Sequence, residues 1–441
     1  MKIQIAIILT CFSLWGCEDF TQKNLELAQQ SPKTSGADLL LGPSSKINSG
    51  DFELEKFIAN TGVFIMEPLN EKLKDNINVL YRSTRQHCST LDVLEDLSKD
   101  QLEKMREPLQ ESWKEAMMTF HQLNMMKFGP AADVESTVMD SIYTFDGAEK
   151  CRVDLSLLQL NLRDRLPRLD VINNYNVRGL DSLEPLFFAD PDKSRCSRVN
   201  TRLQAWFEQP LLKKEKDVCR YSLHLLEDMN NKADQLARSW SARKGHYTEK
   251  MLNGNVGSML EVTNSISQAL FNLDIQIKDQ KLSYPAGFDV RLDGVLTKCP
   301  DASCPEAREH PYSELGLQSL LTSLNGFKNL FMGISIEDQR NGFGLDDLLR
   351  DRGHEQIADA ISSNLEQAIT EVRRLESKTT MGELLKDIDP TKCQNSSSEN
   401  RLEEACALVW DLRGITNLLK NEYLAALQEL SAPRQSRGDN D

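Results

Sequence analysis

The sequence predicts an all-α protein made of packed helical bundles. Apolar residues recur at three- and four-residue steps, as at Ile357, Ile361 and Leu365, which places them on one face of a helix. No stretch of the sequence keeps up the two-residue alternation that is typical of a half-buried strand. Aromatic residues make up only 7% of the chain, while Leu, Glu, Lys and Gln are plentiful. This composition favours helix, and many antiparallel helices of such length usually pack through shared apolar faces.

The first residues have the pattern of an export signal. Lys2 supplies a positive charge, and residues 3–14 are almost wholly apolar, a stretch too short for a permanent transmembrane helix. Gly16 then precedes Cys17, which resembles the bacterial lipobox, although Trp15 stands where a small or β-branched residue is usual. We therefore predict a signal peptide over residues 1–16 and lipidation of Cys17. The alternative is an ordinary signal peptide that is cut elsewhere.

Residues 17–50 are predicted to be a lipidated flexible tether. They are rich in Ser, Gly, Lys, Pro and Gln and hold few large apolar residues, so they cannot form a core. Acyl chains on Cys17 suffice for stable anchoring, so the predicted partner is a membrane and the predicted location is the periplasm-facing cell envelope. Glu18 rather than Asp follows Cys17, which favours the outer membrane over the inner membrane.

Helical apolar stripes follow one another through the rest of the chain, separated by turn signals such as Phe128-Gly129-Pro130. Pro68 falls inside the first stripe and predicts a kink there. A break in composition at 242–255 divides the body into a first bundle, residues 51–245, and a second, residues 246–430, before a polar tail at 431–441. The predicted helical stripes cover residues 57–81, 102–126, 206–240, 251–273, 317–331, 357–375 and 402–430.

Eight cysteines remain after Cys11 and Cys17 are set aside, and an even number in an exported protein predicts disulfides. Eight cysteines allow about 105 pairings, so the spacing alone does not fix the connectivity. Pairing of neighbours along the chain is our prediction, with free buried thiols as the alternative for some of them. The predicted pairs are Cys88–Cys151, Cys196–Cys219, Cys299–Cys304 and Cys393–Cys406.

The net charge of −15 argues against nucleic acid as a partner, because phosphates need a basic surface. An acidic surface is compatible with cation binding, but more often it serves only solubility. Charge alone therefore excludes one class of partner without choosing among the others.

Several separated patches stand in a characteristic order, among them Trp113-Lys114-Glu115-Ala116, the run at 178–188 and Glu309-His310-Pro311-Tyr312-Ser313. Taken together, they resemble the imelysin family of bacterial envelope proteins, and the likeness extends from about residue 52 to residue 430. The resemblance implies two packed four-helix-type bundles with a site near their interface. It also implies links to iron acquisition, and it carries a peptidase label.

The signature of that family is G-x-H-x-x-E, and the matching run here is Gly179-Leu180-Asp181-Ser182-Leu183-Glu184, with aspartate in the place of histidine. Asp181 and Glu184 are three residues apart and would share a helix face, where two carboxylates could bind a hard cation such as iron, Mn²⁺ or Ca²⁺. One interpretation is capping alone, with Asp181 as the N-cap of a helix and Glu184 as its N3 residue. The other adds a ligand role to the cap and makes this pair the predicted metal site.

By analogy with the family, Glu309 and Ser313 face the same cleft as Arg178 and Gly179. Ser313 is also a plausible N-cap for the stripe that begins at residue 317. The histidines are dispersed and show no ligand spacing, so the sequence predicts no site from them: His87, His121, His224, His246 and His310.

The leading hypothesis is a non-enzymatic imelysin-like lipoprotein that serves uptake of iron, another hard cation or haem, together with an envelope protein or an iron-uptake component. One alternative is a structural or protein-interaction lipoprotein without a small ligand. A second is a metal-dependent peptidase, which rests on the family label only. No nucleophile, base and oxyanion donor can be assembled from the sequence motifs.

Overall fold

The computed structural model describes residues 54–132, 137–145, 150–169, 177–197, 199, 201–292, 295–428 and 430–433. Within these ranges the chain is 69% helical and has almost no strand, which confirms the all-α prediction. The predicted signal peptide, Cys17, the tether and most of the polar tail lie outside the described residues. Those predictions therefore stay predictions.

The described part of the chain begins with three helical segments that follow one another without a break: α1 (Leu54–Asn60), a π-helical segment (Thr61–Met66) and α2 (Glu67–Asp92). Pro68 lies in the first turn of α2, where a missing N–H removes no intrahelical hydrogen bond. The kink predicted at Pro68 stays a prediction, and the irregularity that the structure shows nearby is the π-helical segment that ends at Met66.

Helix α3 (Lys99–Asn124) is central to the fold because it packs against α2 and against a helix of the second half. Its start is set by a capping box at Ser98 and Gln101. The Gln101 N–H donates to Ser98 Oγ, and the Ser98 N–H donates to Gln101 Oε1. This exchange satisfies two N–H groups that would otherwise lack partners at the helix start.

The rest of the first half wraps around these long helices. Helix α8 (Leu211–Trp240), 30 residues long, runs beside α2 and makes the most extensive helix pair of the described chain. The elements are a 3₁₀ turn (Gly129–Ala132), α4 (Thr137–Ile142), α5 (Lys150–Arg163), α6 (Gly179–Phe188), α7 (Thr201–Phe207) and α8 (Leu211–Trp240).

The second half is again helical, apart from one hairpin in which Val290 pairs with Thr297. The hairpin is a small departure from the strand-free prediction. The elements are α9 (Tyr247–Leu252), α10 (Met259–Ala269), a π-helical segment (Leu273–Ser283), β1 (Val290–Leu292), β2 (Val295–Thr297), a 3₁₀ turn (Pro305–Ala307), α11 (Gly316–Phe331), α12 (Leu345–Asp351), α13 (Glu355–Glu376), α14 (Met381–Leu384), α15 (Pro390–Gln394), α16 (Glu404–Asn417), a π-helical segment (Leu418–Tyr423) and α17 (Leu424–Ala426).

A single large apolar cluster runs through both halves. It includes Trp113 and Leu225 from the first half and Phe327 and Leu408 from the second, all of them fully buried. Helix α11 packs against α3, which carries this core across the predicted boundary. The division at residues 245 and 246 stays a prediction. Among the described helices, none combines the length and apolar character needed to cross a bilayer.

Two of the predicted disulfides are confirmed and two are wrong. Cys299–Cys304 and Cys393–Cys406 pair as predicted. Cys88–Cys151 and Cys196–Cys219 do not form, because the structure pairs Cys88 with Cys219 and Cys151 with Cys196. The reason is the return of α8 along α2, which brings the Cα atoms of Cys88 and Cys219 to 5.6 Å, within the reach of a disulfide.

Candidate functional site

A buried polar cluster lies where α3 of the first half meets the second half. Its centre is formed by His121, on the last turns of α3, and by Glu309 and His310, which stand in the loop before α11. All three side chains are almost fully buried. Their ligating atoms lie within 4.8 Å of one another. Among the described residues, this is the group of three His, Cys, Asp or Glu side chains that could hold a metal ion.

The two imidazoles contact each other directly. His121 Nε2 and His310 Nε2 are 2.8 Å apart, so one nitrogen donates and the other accepts. Lys281 Nζ lies 3.4 Å from His121 Nδ1 and can only donate to it. We therefore assign the proton of His121 to Nε2, which makes His310 Nε2 the acceptor and directs the His310 Nδ1–H towards Glu184, 4.0 Å away.

Glu309 is the charged centre of the cluster. Its Oε1 accepts a hydrogen bond from Tyr143 Oη at 2.5 Å and pairs with Lys281 Nζ at 2.6 Å. Its Oε2 accepts from Ser319 Oγ at 2.7 Å. The carboxylate is thus held in one orientation by donors from three elements, which pre-organises its oxygens beside the imidazoles.

The charges of the cluster shift its protonation. Burial acts to raise the pKa of Glu309, but the charge of the Lys281 ammonium and its hydrogen bond act against burial, and this pKa lies well below its usual range. Burial lowers the pKa of His310 to about 4 and that of His121 well below its ordinary value. At neutral pH the site therefore presents one carboxylate and two neutral imidazoles, the protonation states in which these side chains ligate metals.

His310 has a left-handed backbone, with φ of 56°. This conformation costs a residue with a Cβ on the order of 1–3 kcal/mol, and such strain is concentrated at functional sites. The ring of His310 also packs edge-on against the ring of Trp113, with centroids 5.5 Å apart. The indole and the loop backbone together fix the imidazole.

Glu184, one of the two predicted metal ligands, lies on α6 beside this cluster. Its Oε1 accepts hydrogen bonds from the backbone N–H groups of Tyr312 and Ser313 and from Ser313 Oγ at 2.8 Å. Its Oε2 is buried without a hydrogen-bond partner. Burial raises the pKa of Glu184 to about 7, although Lys150 and the bonds from Ser313 act to lower it. The structure thus joins Glu184, a predicted metal ligand, to Ser313, a predicted cleft residue.

Asp181, the other predicted ligand, pairs with Lys150, and Asp181 Oδ1 and Lys150 Nζ are 2.5 Å apart. The capping interpretation of this run is wrong. Helix α6 begins at Gly179 with Arg178 as N-cap and without a side-chain cap, so Asp181 already lies inside the first turn. Ser313 is not a helix N-cap either, because α11 starts at Gly316 and its N-cap is Leu315.

Arg178 and Gly179 have clear structural roles at the entry to α6. Arg178 Nη1 donates to the carbonyl of Leu169 at 2.8 Å. Gly179 has φ of 80°, and a Cβ placed there would lie 2.7 Å from the carbonyl oxygen of Ile142. Only glycine fits this close approach, which lets α6 lie against the end of α4 and brings Glu184 to the cluster.

Sequence reasoning missed four members of the cluster: His121, Tyr143, Lys281 and His310. The two histidines are 189 residues apart, so no local spacing could reveal the pair. One signal was present, because His310 directly follows Glu309 in an irregular segment that the resemblance had already marked.

The open space beside the cluster is small. A pocket lined by Lys281, Glu309, Gly316, Ser319 and Met381 holds about 10 Å³, room for about one water molecule. The site as it stands fits an ion rather than a haem. Two imidazoles and one carboxylate form a donor set that suits divalent iron, manganese and zinc.

Comparison with solved structures places this fold beside two bacterial proteins. One, from Parabacteroides distasonis ATCC 8503, is labelled as an iron-regulated protein A precursor. It shares 13% identity with a TM-score of 0.58 and covers 88% of this chain and 99% of its own. The other, an imelysin-like protein from Psychrobacter arcticum 273-4, shares 14% identity with a TM-score of 0.55, and the match covers 87% and 98%. At these identities the likeness shows the fold alone.

No protein among curated sequences matches this chain. The sequence profile of one family, however, matches residues 89–416, about three quarters of the chain, and that family is imelysin. The match spans α3, the loop with Glu309 and His310, and the altered signature at Asp181 and Glu184. This chain belongs to the imelysin family.

Proposed function

We propose that this protein is an exported, lipid-anchored binding protein of the cell envelope that holds an iron ion, or another hard cation, between its two helical halves. The observation that carries the proposal is the buried set of His121, Glu309 and His310, with ligating atoms within 4.8 Å. Donors that share one ion at about 2.1 Å lie roughly 3 Å apart, which these side chains reach with small adjustments.

The altered signature supports the same proposal. Asp181 has replaced the histidine of G-x-H-x-x-E, yet two imidazoles reach the same region from α3 and from the loop before α11. His310 Nδ1 lies 4.0 Å from Oε1 of Glu184, the glutamate of the same run. The imidazole that the signature lacks is thus supplied by other elements. The iron-regulated label on one structural neighbour is a further, weaker support.

The test is calorimetric titration of the protein without its anchor, using Fe²⁺ under anaerobic conditions, Mn²⁺ and Ca²⁺. We expect one ion per chain, with binding lost in Glu309→Gln and weakened at least tenfold in His310→Ala. The matched control is His246→Ala, which removes an exposed imidazole that pairs with Glu249 on the surface. Equal binding by wild type and by both cluster variants would contradict the proposal.

The predicted pair of Asp181 and Glu184 is tested in the same series. In our proposal Glu184 borders the ion site and Asp181 stays with Lys150, so Asp181→Ala alone leaves the affinity nearly unchanged. Loss of binding in Asp181→Ala and retention in His310→Ala would move the site to the two carboxylates.

The membrane part of the proposal rests on Cys17 and has its own test. Growth with radioactive palmitate should label the wild-type protein and not Cys17→Ser, and only the wild type should sediment with membranes. Separation of the two membranes by density would then show whether the outer membrane carries it. An unlabelled wild-type protein would contradict lipidation while leaving the ion site untouched.

A further inference from the structure

A lysine already occupies the centre of the candidate ion site. Lys281 Nζ is 2.6 Å from Glu309 Oε1 and 3.4 Å from His121 Nδ1, so the ammonium contacts two of the three candidate ligands. The side chain is only 8% exposed. Lys281 is therefore the internal counter-ion of the Glu309 carboxylate.

The ammonium is held there by more than one contact. It lies over the rings of Tyr143 and Phe145, 5.9 Å and 5.6 Å from their centroids, and aromatic faces attract a cation. Its backbone belongs to the π-helical segment Leu273–Ser283, and such wider turns recur at functional sites. The segment places the Lys281 side chain of the second half against the His121 imidazole of α3.

We propose that Lys281 is a resident cation that competes with the metal ion for Glu309, so that the ion binds only when the ammonium leaves. This inference rests on the proposed ion site. Two positive charges about 4 Å apart in a buried setting repel strongly, so the ammonium and a divalent ion cannot share these donors. Glu309 would exchange one cation for the other and would never be left as an uncompensated buried charge.

This exchange has a functional consequence. A buried carboxylate without a partner is costly, and the resident ammonium stabilises the metal-free protein. The same ammonium lowers the affinity for metal, because each binding event must break the pair between Lys281 and Glu309. The lysine therefore makes the site a reversible carrier of the ion rather than a permanent holder.

The test compares metal affinity among variants of Lys281 by the same titration. We expect Lys281→Met to bind Mn²⁺ or Fe²⁺ at least tenfold more tightly than wild type. Lys281→Arg, which keeps the charge, should bind no better than wild type. The matched control is Lys328→Met. It removes a lysine in the last turn of α11 that pairs with Glu366, and it should leave the affinity unchanged.

Because Lys281→Met removes the ion-pair partner of Glu309 and lowers stability, Lys281→Gln, which retains an N–H donor, is measured beside it. Circular dichroism and thermal unfolding establish which variant is folded. Tighter binding in either folded variant supports the inference, including the case in which wild type binds too weakly to measure. If wild type binds the ion, Glu309→Gln abolishes that binding and both Lys281 variants bind with the affinity of wild type, the inference is overturned and the ion site is retained. No binding by any of them overturns both.

Discussion

At the scale of single residues, Glu184 is the group whose titration should be visible in stability. Its pKa of about 7 in the folded protein lies above the roughly 4.3 of an unfolded chain, so the folded state holds the extra proton between these values. The contribution of this group to stability is fully present below about pH 4.3. It is lost as the pH rises through 7.

Glu184→Gln should remove this dependence while it keeps an acceptor for Ser313. As the pH rises from 5 to 7, the wild type should lose unfolding free energy relative to Glu184→Gln, by up to about 1.4 kcal/mol per pH unit. Urea unfolding at several pH values measures it. Glu103→Gln, at an exposed position of α3, is the control, and parallel curves for wild type and Glu184→Gln would contradict the assignment.

Gly179 provides a second prediction at this scale. Gly179 and Gly353 have nearly the same φ, 80° and 79°, but a Cβ at Gly179 meets the carbonyl of Ile142 and a Cβ at Gly353 meets nothing within 4 Å. Alanine at either position pays about 1–2 kcal/mol of backbone strain. Gly179→Ala should cost more than Gly353→Ala, and equal losses in thermal unfolding would show that the close approach is unimportant.

At the scale of elements, the disulfides differ in the length of chain that they close. Cys88–Cys219 spans 131 residues and ties α2 to α8, whereas Cys393–Cys406 spans 13. A longer closed loop restricts the unfolded chain more, and the difference between these two corresponds to about 2 kcal/mol in the chain-entropy treatment.

Removing the long bridge with Cys88→Ser and Cys219→Ser should therefore lower the unfolding free energy more than Cys393→Ser with Cys406→Ser does. Denaturant unfolding of both double variants under non-reducing conditions checks this order. The reverse order would mean that contacts in the folded state outweigh loop closure.

The elements also show what the sequence could predict. Helices such as α13 follow from apolar residues at helical spacing, because Ile361, Leu365 and Ile369 all face the core. The first residues of helices are harder to predict. Ser313, for example, hydrogen-bonds to Glu184 and does not cap α11. The disulfide between Cys88 and Cys219 depends on which long helix returns beside α2, and local spacing carries no such information.

The same reason explains the incomplete prediction of the site. The resemblance indicated Glu184, Glu309 and Ser313, because they stand in recognisable runs. His121 lies within an ordinary amphipathic helix, and only tertiary packing sets it against His310. Lys281 could not be predicted at all, because its position depends on a π-helical turn with no marked sequence signal.

At the scale of the whole molecule, the two halves should unfold together. One apolar cluster includes residues of both halves, and α3 packs against α11 across the predicted boundary. We expect a single calorimetric transition with equal calorimetric and van't Hoff enthalpies. Two resolved transitions would show that the halves are independent units. An ion bound between them should shift the single transition upward, by mass action.

The nested order of two disulfides has a consequence for how the protein matures. Cys151–Cys196 lies inside the loop that Cys88–Cys219 closes, so a chain that leaves the cytoplasm amino end first, as proposed, exposes Cys88 and Cys151 well before Cys219 arrives. An oxidant that joins cysteines in order of emergence makes a bond that the native protein does not contain. Maturation then requires thiol–disulfide exchange, and a cell without an isomerase would accumulate scrambled protein.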